Sequence, residues 1–103
     1  PVHPEFEGSH RRIKEMATKL NVCTTAVTET DSQEVLDICA RHLYEMAAST
    51  IMSLLLLRNT MQAPELFAKS MNVYLLYAES EVEKHFNWIR HMNVSLAEGF
   101  RQA

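Results

Sequence analysis

The stretch AASTIMSLLLL, Ala47 to Leu57, is apolar around nearly its whole circumference, interrupted only by Ser49, Thr50 and Ser53. A helix of this kind sits at the centre of a bundle or is covered by a partner. It cannot cross a bilayer, which takes about 20 apolar residues. Extended in both directions it becomes the middle of a long helix, from about Ser32 to Met61. The main stripe is Leu36, Cys39, Leu43, Met46, Thr50, Leu54 and Leu57, and a second set, Ile38, Ala48, Ile51 and Leu55, covers another face. Asp31 with Glu34 three residues later has the spacing of a capping box at the start of this helix.

Upstream, Ile13, Met16, Leu20, Cys23 and Val27 recur at intervals of three and four, which predicts a helix from about Ser9 to Thr28. Lys14, Glu15 and Lys19 fall off that stripe, as a solvated face should. Residues 1–8, with Pro1, Pro4 and Gly8, read as a leader or linker, and 9–103 as the helical domain. Starting on Pro1 instead of Met is expected of an excised domain or processed chain.

Downstream, Pro64 suits a first helical position and Glu65 complements the positive end of the helix dipole. A third helix is predicted from there to about Met92, with the stripe Phe67, Met71, Tyr74, Ala78, Val82, His85 or Phe86, Ile89 and Met92. Asn93-Val94-Ser95 reads as a break, and Ser95 with Glu98 as the capping box of a short fourth helix ending at Gln102. The fold expected is all-α: an up-and-down bundle of three long helices plus a short C-terminal one. Truncating Leu43 or Leu54 to Ala is expected to cost roughly 2–5 kcal/mol.

Composition narrows the function. Net charge is −3, and the densest basic stretch is Arg11-Arg12 with Lys14 nearby. That is no footprint for nucleic acid, and no basic face for a membrane surface. Cys23 and Cys39 lie on apolar stripes and read as buried thiols in a reducing cytoplasm. No catalytic, cofactor-binding or metal-ligating set stands out. A ferritin-like site needs Glu-x-x-His, whereas His42 and Glu45 have the reverse order. Glu79, Glu81, Glu83 and His85 share helical faces and define an alternative, a metal-dependent bundle, against a plain solvated face with Glu81 paired to Lys84 or His85. None of His42, His85 and His91 is followed by the basic and small residues of a phosphotransfer histidine. The methionines read as core filler, but three helices leave room for Met52, Leu55 and Leu56 to form an uncovered apolar strip, a candidate interface.

The stretches RHLYEMAASTIMSLLLLR (41–58) and LFAKSMNVYLLYAESEVEKH (66–85), with the leader PEFEG (4–8), resemble the helical C-terminal extension of some bacterial acyl-CoA dehydrogenases, of the Bacteroides type. The resemblance covers nearly the whole chain. It implies a parent flavoprotein that desaturates acyl-CoA thioesters with FAD and passes the electrons to an electron-transferring flavoprotein. The catalytic glutamate and flavin site would lie upstream, so no site residue is carried over. The expectation is therefore a non-catalytic domain serving assembly or docking, with the parent catalytic domain or a second copy as partner. A stand-alone adaptor or signalling bundle is the other alternative.

Overall fold

The structure, a computed structural model, describes the backbone of residues 4–102 and the side chains of residues 4–92. A 3₁₀ turn, Pro4–Phe6, leads into α1 (Glu7–Glu29), α2 (Gln33–Gln62) and α3 (Pro64–Gln102). The bundle measures 58 × 21 × 17 Å, and its long axis is the length of α3, whose 39 residues span about 58 Å at 1.5 Å each. Among the described residues no helix is long and apolar enough to cross a membrane.

Local chemistry sets the boundaries. Phe6 is buried in the core, which anchors the chain so that α1 starts at Glu7, two residues earlier than the sequence pattern predicts. The threonine-rich end of α1 stays helical, and within it Thr24 and Thr28 donate their hydroxyls to the carbonyls of Leu20 and Thr24, at 2.8 and 2.9 Å. Asp31 then takes φ +52°, the left-handed position that usually ends a helix on Gly. The N-cap of α2 is therefore Ser32, extended and with Oγ accepting from the Val35 N–H at 3.3 Å, and not Asp31 as its spacing to Glu34 suggested. At the next turn Pro64 forces Ala63 out of helical geometry, and the Ala63 carbonyl takes the first N–H groups of α3, from Leu66 and Phe67.

The expected fourth helix is the continuation of α3, which passes unbroken through 93–95 to Gln102. Asn, Val and Ser lower helix propensity by only a few tenths of a kcal/mol each, and neither Pro nor Gly stands among them. The signal of a capping box is thus too weak to stop a helix already running.

Pairs between helices give the directions. Arg12 meets Glu79 and Lys19 meets Glu83, so α1 and α3 run parallel; His42 meets His85 and Cys39 meets Met92, so α2 and α3 are antiparallel. The core comprises Ile13, Met16, Cys23 and Val27 of α1, Val35, Cys39, Met46 and Leu57 of α2, and Met71, Leu75, Ala78, Val82 and Ile89 of α3. Every residue of the predicted α1 stripe is in or against it. On α2 one residue is misassigned: Leu54 is 45% exposed, while Ser53 is buried in its stead.

Candidate functional site

α2 is built against the usual rule. Ser49, Thr50, Ser53 and Thr60 face inward, while Ile51, Met52, Leu54 and Leu55 face solvent. The inward hydroxyls avoid the penalty of buried polar groups by donating one turn back: Thr50 to the Met46 carbonyl at 2.8 Å, Ser53 to that of Ser49 and Thr60 to that of Leu56, both at 2.7 Å. Small inward side chains leave room for neighbouring helices to pack closely, and displace the bulk of α2 to the outside. Of the three residues singled out as a possible interface, Met52 is 52% and Leu55 46% exposed, whereas Leu56 turns back and packs on the core.

α3 carries a second set that sequence reading did not single out: Leu66, Val73, Leu76 and Tyr77, all exposed. Their spacing was the available signal. Leu66, Val73 and Tyr77 are seven and four apart, on the side opposite Met71, Leu75, Ala78 and Val82. The His42–His85 pair fixes the antiparallel register, so residues 51–55 stand roughly level with 72–76. Both helices thus present bare apolar side chains at the same height of the hairpin.

The acidic segment of α3 is committed elsewhere. Glu79 receives two hydrogen bonds from the Arg12 guanidinium, one of them Nε to Oε2 at 3.0 Å. Lys19 pairs with Glu83, and Lys84 with Glu81 at 2.7 Å; Tyr77 also donates to Glu81 at 3.2 Å. Lys84 and Lys19 hold the Glu81 and Glu83 carboxyls below the ordinary range. Among the described residues no three His, Cys, Asp or Glu side chains converge to hold a metal, so the structure does not assemble Glu79, Glu81, Glu83 and His85 into a site. The groove between α1 and α3, lined by Arg12, Lys19, Glu79 and Glu83, has its cations already paired. It therefore does not fit the pyrophosphate of FAD, the cofactor the resemblance implies for a parent enzyme.

The cysteines are free and buried, and burial pushes both thiols up, away from the reactive thiolate. Cys39 Sγ lies 4.0 Å from Met92 Sδ. One turn along the α2–α3 seam, His42 Nδ1 is 2.7 Å from His85 Nδ1, and the His42 ring stacks on Trp88 at 3.8 Å between centroids. Burial, first of all, depresses the pKa of both imidazoles.

Comparison with known proteins adds the family. Residues 1–96 match the family model for the acyl-CoA dehydrogenase C terminal. No curated protein matches the chain. Among solved structures it is similar to the crystal structure of an acyl-CoA dehydrogenase family protein from Porphyromonas gingivalis. The two share 32% sequence identity over 87% of this chain and 77% of that one, with a TM-score of 0.81.

Proposed function

The chain belongs to the acyl-CoA dehydrogenase C-terminal family, and from that premise we propose that it is a non-catalytic assembly or docking module of an FAD-dependent acyl-CoA dehydrogenase working in the cytoplasm. The observation that carries this reading is the inverted α2, with Ile51, Met52, Leu54 and Leu55 in solvent while serines and threonines fill the inside. A contiguous turn and a half of bare aliphatic side chains is what a surface kept for another protein looks like. The chemistry of the parent, oxidation of an acyl-CoA thioester, belongs to its catalytic portion; this module contributes position and association.

The test is light scattering over a concentration series, alone and with the parent catalytic portion. A dimer or larger species, or a complex with the catalytic portion, is expected, and Met52→Glu with Leu55→Glu should abolish it while the helical circular dichroism spectrum stays intact. A chain that remains monomeric at every concentration and ignores the catalytic portion overturns the reading.

A further inference from the structure

Two imidazoles with their Nδ1 atoms 2.7 Å apart can hold one proton between them and no more. In that state one ring donates its N–H and the other accepts, and which does so depends on the tautomer. One further proton makes one ring an imidazolium that still donates to the other's Nδ1; only when both rings are imidazolium do two donors and two positive charges face each other across the α2–α3 seam. We propose that the His42–His85 contact is a proton-operated latch between α2 and α3, closed while the pair shares one Nδ1 proton and opened when both rings become imidazolium.

Three features make the pair a two-state element. His85 is 8% exposed and fixed on the inner side of α3, so it cannot turn to solvent. His42 is only half-buried, so it is the ring that leaves. Leaving also breaks its stack on Trp88, which is 40% exposed. The charges acting on the pair come from both helices that hold it. Arg41 and Lys84 oppose further protonation, Glu45 and Glu81 favour it at His85, and α1 supplies none of the charges that act on either ring. Glu81 is already engaged by Lys84 and Tyr77, so it offers no ready partner to a second imidazolium. The burial that lowers both pKa values places the opening step below the ordinary histidine range.

Trp88 is the sole tryptophan of the chain, so its emission reports on the latch alone. The experiment is a fluorescence titration of the full chain from pH 8 to pH 5, with far-ultraviolet circular dichroism followed in parallel. A change in Trp88 emission below pH 6.5 at constant helicity is expected, and His42→Gln and His85→Gln should each remove it or shift its midpoint. In case a variant does not fold, the imidazole Cε1–H resonances of the unsubstituted protein are titrated by NMR; two coupled steps support the latch. Constant emission down to pH 5, the same midpoint in His85→Gln, or two independent titrations near pH 6.5 overturn it.

Discussion

Arg12 on α1 lays its guanidinium against both carboxylate oxygens of Glu79 on α3, 67 positions away in the chain. A two-pronged pair of this kind fixes geometry as well as charge. It fixes the axial position of α1 on α3, which an apolar stripe alone leaves free to slip by a turn. Both side chains are about a third exposed, so solvent screens the attraction. A double-mutant cycle with Arg12→Ala and Glu79→Ala, read by urea unfolding, should give a coupling energy of about 0.5–1 kcal/mol, falling as salt is raised. Arg12→Lys, which keeps the charge but loses the fork, should recover less than half.

The α1–α2 turn contains one favourable and one unfavourable residue. Ser32→Ala removes the acceptor of the Val35 N–H and should cost about 1 kcal/mol. Asp31 sits at φ +52°, where a side chain is strained and Gly is not. Asp31→Gly should therefore raise stability by about 0.5–1 kcal/mol, despite the added flexibility of the unfolded chain. Thermal melts of the two variants, moving in opposite directions, check both statements.

Core positions on α2 separate what the sequence pattern reveals from what it hides. Met46 is fully buried, and Met46→Ala should cost about 2–5 kcal/mol. Leu54 belongs to the same apolar periodicity but is 45% exposed, and Leu54→Ala should cost under about 1 kcal/mol. Chemical unfolding of the two variants tests the ranking. On α1, where polar residues mark the outer face, periodicity alone identifies the core; on α3 it passes over buried Leu75, because Leu66, Val73, Leu76 and Tyr77 make the outer face apolar too. On α2 the run Ala47 to Leu57 is apolar on all sides, so periodicity has no contrast to read. There the deciding term is volume: Ser49 and Ser53 are the small side chains that go inside, and the Ser53 hydroxyl is satisfied by the Ser49 carbonyl of its own helix.

The candidate site was legible only in part, for a similar reason. Met52 and Leu55 follow from an excess of apolar surface on one helix. Val73, Leu76 and Tyr77 become meaningful only once the hairpin register sets them level with α2. The His42–His85 pair is invisible along the chain, because its 43-residue separation carries no local pattern, although His85 falls on the apolar stripe of α3.

That pair gives stability a pH dependence whose sign follows from the direction of its shifts. Both imidazoles have native pKa values below the ordinary 6.5, chiefly through burial. Between the native value and 6.5 the unfolded chain binds more protons than the folded one, so stability rises with pH in that window. It is level above about pH 7 and falls as the solution is acidified through 6.5 towards the native values, by at most about 1.4 kcal/mol per pH unit for each ring. Glu81 and Glu83, held below the ordinary 4.5 by Lys84 and Lys19, also lose stability on acidification, but only below that pH. The two windows therefore begin at different pH values. Urea midpoints measured from pH 8 to pH 4 should show a first decline that sets in as the pH falls through about 6.5 and a second that sets in below about 4.5. The first should shrink in His42→Gln, which removes one of the two buried imidazoles, while the second persists. A midpoint that is constant between pH 7 and pH 5, or a first decline unchanged in His42→Gln, would show that the seam between α2 and α3 does not sense protons.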